Sequence, residues 1–202
     1  MMKSEHKLKK WEISLIFALI FTVSWTQYLG AEQEELASDL IRLHVVANSN
    51  SDEDQALKYQ IRDEVLRVAE TLYEEGMTAE EAEEKFSENL PLLTEVGQSL
   101  TTEYKVTAEL TNLWFPTKYY DDFALPSGDY RSLHITIGEA EGENWWCVAY
   151  PPLCMGAATE TVDWAIEAGH FSQQEGEMIT GDGYILKFKS LELWGNVKGF
   201  FS

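Results

Sequence analysis

Two cysteines, four histidines and a large surplus of carboxylates are the side chains of this chain that could do chemistry. Both cysteines fall in one stretch, NWWCVAYPPLC, from Asn144 to Cys154. A C-x₆-C spacing is not that of a zinc site, and no two of His6, His44, His134 and His170 form an H-x₃₋₅-H pair. A cysteine nucleophile needs a cation or a helix N-terminus to stabilise its thiolate, and residues 139–160 contain no Lys or Arg. Carboxylates are so numerous, 35 Asp and Glu in 202 residues, that any two could be named an acid/base pair, so the pairing carries no information. The glycine patterns of a phosphate cradle, a dinucleotide fold and a serine elbow are missing from the sequence. No catalytic, cofactor-binding or metal-ligating residue is therefore expected. The rival from another class is an extracytoplasmic hydrolase that uses His44 or His134 with a carboxylate.

The charge pattern narrows the setting. Lys3, Lys7, Lys9 and Lys10 precede an apolar run from Ile13 to Val23, and Ser24, Thr26 and Gln27 follow it. A basic start, a short apolar segment and a polar exit describe an export signal. Residues 1–31 are thus expected to be a signal peptide, cut after Ala31 or after Thr26, or a retained signal anchor. The run is short for a bilayer core of about 30 Å. The formal net charge of the whole chain is −20, and removing a lysine-rich leader makes the remainder more acidic still. A field of that sign repels nucleic acid and anionic headgroups. No nucleic-acid partner is expected, and contact with a membrane only through the N-terminal signal.

Residues 32–202 are expected to form one domain. Leu40–Asn48 alternates as a strand, with the odd positions toward the core and Arg42 and His44 on the polar side. Ser51 with Asp54 fits a capping box, and Leu57, Ile61, Val65, Val68 and Leu72 then make one helical stripe that stops by Gly76. Thr78 with Glu81 is a second capping box, opening a helix over Ala79–Leu93 that Pro91 should kink or restart. From Glu103 the period changes to two, in Tyr104–Leu110, Tyr130–Ile137 and Trp145–Ala149. A turn is expected at Leu125–Gly128 and another at Asp121-Asp122, a hairpin-like loop at Gly138–Gly142, and a helix around Thr161–Ala168. A strand at Tyr184–Lys189 and a short closing helix at Leu191–Val197 end the chain. The order predicts an α+β fold, a mixed or antiparallel sheet with the two N-terminal helices packed on one face and a short C-terminal helix.

These elements give NWWCVAYPPLC its setting. In an exported chain with an even cysteine count, a Cys147–Cys154 disulfide is expected ahead of two buried thiols, with Pro151-Pro152 supplying the bend between them. Trp145 and Trp146 must point to opposite faces of their strand. Either one of them is exposed beside the rigid proline corner, which suits a recognition surface, or both are packed under loops. Arg42, His44, Trp145, Trp146, Pro151 and Pro152 are the candidate partner-binding residues.

Two long blocks carry a resemblance. LIRLHVVANSNSDEDQALKYQIRDEVL (Leu40–Leu66) and FPTKYYDDFALPSGDYRSLHITIGEAEGENWWCVAYPPLC (Phe115–Cys154) resemble the two signature blocks of the stage II sporulation protein R family, in the same order, with Asn50 and Ser127 where Asp and Ala would be expected. Residues 155–183 carry no such likeness. The resemblance implies a role and no reaction. Members are exported from the forespore of endospore-forming bacteria into the space between forespore and mother cell. There they trigger a membrane-embedded aspartic protease of the mother cell, which processes the sigma-E precursor. That protease is the partner the resemblance implies, and no family catalytic residues carry over.

Overall fold

The computed structural model describes residues 9–120, 123–153 and 158–180. Helix α1 (Lys10–Ser38) runs without a break through both expected cut sites into the domain. Its middle exposes Leu15, Phe17, Leu19, Ile20, Phe21 and Trp25, whereas Leu36 near its end is fully buried. Among the described residues no helix is long and apolar enough to cross a membrane.

Strand β1 (Ile41–Val46) follows at once, then α2 (Asp52–Leu72) and α3 (Ala79–Gln98). The Ser51 hydroxyl accepts the Asp54 N–H and so caps α2. Asp54 does not reach back to complete a box; its carboxylate instead accepts from Asn48 Nδ2 at 2.8 Å and Ser49 Oγ at 2.6 Å. The Thr78–Glu81 box is complete. Pro91 neither ends nor restarts α3, which continues as one helix to Gln98. The stripe on either side of it, Phe86 and Leu93, is buried against the sheet, and that packing outweighs the lost backbone bond.

Strand β2 (Val106–Phe115) pairs with β5 (Gly128–Ile137), and the short β3 (Lys118–Tyr119) pairs with β4 (Ala124–Leu125). After β6 (Asn144–Tyr150) come α4 (Ala158–Glu167) and α5 (Gln173–Thr180). The main sheet has the order β2-β5-β1-β6. β1 is parallel to β5 and antiparallel to β6, and β2 is antiparallel to β5, so the sheet is mixed. Because β1 lies between β5 and β6, Gly138–Gly142 is a crossover and not a hairpin: it passes over the end of β1. Gly142 N–H donates to the Ala47 carbonyl and Glu141 N–H to the Asn48 carbonyl. A Cβ on Gly142 would lie 2.3 Å from the Ser49 carbonyl oxygen, so this crossing demands glycine.

Two cores sandwich the sheet. Ile41, Leu43 and Val45 face α2 and α3 with Ile61, Val65, Phe86 and Leu93. Leu36, Phe115, Leu125, Tyr130, Val148 and Ile179 form the second core, under α1, β4 and α5. The expected helices on one face are there, but the other face is also covered, and every residue of β1 is buried. The turn expected at Asp121-Asp122, the strand at 184–189 and the closing helix at 191–197 lie outside the described residues.

Candidate functional site

The sheet's second face carries a polar seam that the strand register builds. Glu109, His134, His44 and Trp146 stand side by side on β2, β5, β1 and β6. One step along, Ser132 on β5 stands beside Arg42 on β1. Period-two alternation puts all these side chains on one face; the central position of β1 buries Arg42 and His44, Ser132 is buried beside them, His134 and Trp146 are half-buried, and Glu109 at the edge is exposed.

Three rings stack across the seam. Trp146 lies 3.8 Å from His44 at 6°, and His44 lies 4.7 Å from His134 at 8°. Phe115 meets Trp146 edge-on at 4.7 Å. His44 Nε2 lies 2.7 Å from Asn144 Oδ1, and His134 Nδ1 lies 3.3 Å from Glu109 Oε1. The remaining ring nitrogens, His44 Nδ1 and His134 Nε2, are buried without a hydrogen-bond partner. Burial, opposed by the Asn144 bond and aided by the electrostatic effects of neighbouring His134 and Lys118, lowers the His44 pKa to about 4. His44 is therefore neutral at physiological pH.

Arg42 is fully buried, and its guanidinium lies 4.5 Å from the Phe115 ring centroid and 5.0 Å from that of Tyr130. Nε donates to the Cys147 carbonyl at 2.9 Å and Nη2 to Tyr120 Oη at 3.0 Å, while Nη1 has no partner. Tyr120 Oη in turn donates to the Trp146 carbonyl at 3.3 Å. Lys118 holds its amine 5.5 Å from the centroid of Trp146.

This geometry decides what the seam can do. The His44 and His134 rings are parallel, so their in-plane lone pairs do not converge on one ion, and a metal between them has no ligand geometry. The described residues hold no group of three or more metal-ligating side chains. A Ser–His–Glu relay would have to join Ser132 Oγ to His134 Nε2, and both atoms lack a hydrogen-bond partner. Ser132 is thus not joined to the His134–Glu109 pair.

The candidate partner-binding residues are divided by the structure. Arg42, His44 and Trp146 come together on one face, but Arg42 and His44 are buried and offer no surface; the polar side expected for them is the second core. Trp145 is on the opposite face, half-buried, with Tyr59 edge-on at 5.6 Å and the Arg62 guanidinium 4.4 Å from its ring centroid. Pro151, buried, and Pro152, half-buried, follow the end of β6, and the Tyr150-Pro151 peptide is cis. Cys147 is buried in β6, and no described cysteine is a free thiol. Its expected partner, Cys154, lies outside the described residues.

Ser132, Lys118, Phe115 and Tyr120 escaped the sequence reading. The parity of YRSLHITI does put Ser132 and His134 on one side, but no pattern in the sequence pairs β5 with β1.

The sequence profile of the family described as Stage II sporulation protein R matches residues 37–160. The chain belongs to this family. It is 36% identical over 118 residues to Stage II sporulation protein R of Bacillus subtilis (strain 168), an alignment covering 56% of this chain and 53% of that protein. The chain thus spans about half the length of the curated relative it matches. No solved structure matches it. Every residue of the seam lies within the matched segment, whereas most of α1 and all of α5 lie outside it.

Proposed function

We propose that this sporulation protein is an exported signal and not an enzyme. Made in the forespore, it acts between the two cells on the extracytoplasmic side of a membrane-embedded aspartic protease of the mother cell, and the activated protease processes the sigma-E precursor. The observation that carries the reading is the family match over residues 37–160. The lysine-rich, apolar N-terminus supports export, and the separation of Ser132 from the His134–Glu109 pair supports a role without catalysis. A Cys147–Cys154 disulfide would staple the corner after β6 in that oxidising space. The ligand acts by binding the active arrangement of the protease more tightly than the inactive one.

Reconstitution in a non-sporulating bacterium tests this. The chain is co-expressed with the protease and the sigma-factor precursor, with and without residues 1–31, and precursor cleavage is followed on gels. Cleavage should require both this chain and its N-terminal segment. Equal cleavage without the chain, or with the form lacking residues 1–31, overturns the reading.

A further inference from the structure

Arg42 is a buried cation that has no counter-charge among the described residues. It is fully buried, and among the described residues no carboxylate pairs with it or with Lys118. A buried charge is costly unless it is paired, and this one sits in a chain with 35 acidic residues. Beside it, fully buried Ser132 keeps its hydroxyl without a partner, as does Arg42 Nη1. Lys118 brings a second positive charge to the same place. Burial and the repulsion of Arg42 hold its amine below the ordinary lysine value. Buried hydrogen-bonding groups are nearly always satisfied, so adjacent orphans on paired residues point to a missing ligand.

We propose that Arg42, Ser132 and Lys118 form a binding site for an oxyanion, the carboxylate or phosphate group of a ligand. Nη1 of Arg42 and the Ser132 hydroxyl supply hydrogen bonds, and the Lys118 ammonium completes the charge. The cover over the site is slight. β3, which carries Lys118, has two residues and pairs with the equally short β4, and Tyr120 just after it is tied to the seam through its hydroxyl. An anion entering beneath β3 replaces the Tyr120–Arg42 bond with stronger ones. Neutral His44, one pair along, gains a favourable partner for its charged form when the anion arrives, so binding raises its pKa.

The test uses the full chain in non-ionic detergent, titrated with sodium phosphate and separately with sodium acetate, with chloride holding ionic strength constant. Either anion at about twenty times its Kd should raise Tm by about 5 °C and move the His44 ring resonances to a higher pKa. A response to phosphate alone assigns a phosphate group, and a response to acetate alone assigns a carboxylate. Lys118→Ala should weaken binding about tenfold. Lys118→Glu should supply the counter-charge from within, raising the anion-free Tm and abolishing the response. The proposal is overturned if neither anion shifts Tm beyond the chloride control. It is equally overturned if the Lys118 variants bind with unchanged Kd, which would mean an adventitious ion elsewhere.

Discussion

His44 should make this fold acid-sensitive over a defined window. Its pKa is about 4 in the folded chain and about 6.5 when the chain is unfolded. Above pH 6.5 both states hold a neutral ring, and the buried histidine costs nothing by titration. Between pH 6.5 and 4 the unfolded chain takes up a proton that the folded chain refuses, so stability falls as pH falls. Undamped, that difference is worth about 3 kcal/mol, and screening by solvent at the seam's edge reduces it to about 2 kcal/mol. Other groups titrate over the same range. Burial also lowers the pKa of His170, and Asp39 acts in the opposite sense. A His44→Phe variant isolates the effect, because a phenyl ring keeps the stack between Trp146 and His134 and cannot titrate. Urea denaturation of both proteins, followed by tryptophan fluorescence from pH 7.5 to 4.5, gives the comparison. The wild type should lose about 2 kcal/mol more than the variant across that range. Parallel curves would refute the reasoning, since they would mean that the His44 ring is as free to protonate folded as unfolded.

Asp39 has its pKa pushed up to about 6, by burial first and then by the neighbouring Glu175 carboxylate. Its cost appears as pH rises from 4 to 6, so Asp39→Asn should stabilise the chain at pH 7 by about 1 kcal/mol after discounting for exposure and leave pH 4 stability unchanged. Gly142→Ala should cost about 1–3 kcal/mol in a denaturant melt, because the new methyl meets the Ser49 carbonyl oxygen and the Ala47 methyl, neither of which can yield. Reduction should lower stability by about 2.5 kcal/mol if Cys147 and Cys154 are joined, the entropy of a short closed loop; two thiols reactive in denaturant without reductant would exclude the bond. Trp146→Ala should cost about 3 kcal/mol through loss of its stacking on His44 and Phe115, whereas Trp145→Ala, half-exposed, should cost about 1 kcal/mol. If the Trp145 face meets the protease, that milder variant should lose precursor cleavage at normal protein levels; full cleavage would remove Trp145 from the docking surface.

Local patterns were legible where one short segment decides the outcome. The caps at Ser51 and Thr78 and the stripe from Leu57 to Leu72 are where spacing puts them. What could not be read is what depends on partners distant in sequence. The alternation of Leu40–Asn48 looks half-buried because Arg42 and His44 are polar. The strand is nevertheless central, and aromatic rings from β2, β5 and β6 enclose both side chains. Gly138–Gly142 has the composition of a hairpin. It crosses over β1 because β1, almost a hundred residues earlier, occupies the place beside β5. The long blocks resembling the family placed the chain correctly without saying how the blocks pack on one another.

The buried seam changes how recognition by this chain must be understood. Arg42 and His44 cannot contact a partner directly while the strand is covered. They act by setting what lies over them: Arg42 ties down Tyr120, and His44 supports Trp146, over whose ring Lys118 sits. Accessible surface lies elsewhere, on the far half of the β2 edge. The near half is closed by α3, where Gln98 Oε1 accepts the Val106 N–H at 2.9 Å and Thr94 Oγ1 the Ala108 N–H at 3.2 Å. Beyond that, Asn112 and Trp114 are exposed. Trp114 is followed at once by Phe115, which packs on the Arg42 guanidinium and the Trp146 ring. Contact at the β2 edge and the state of the seam therefore share one strand end. An anion drawn in beside Arg42 would displace Tyr120 and bear on Phe115. In this way a ligand bound inside the fold would reach the surface that a partner can touch.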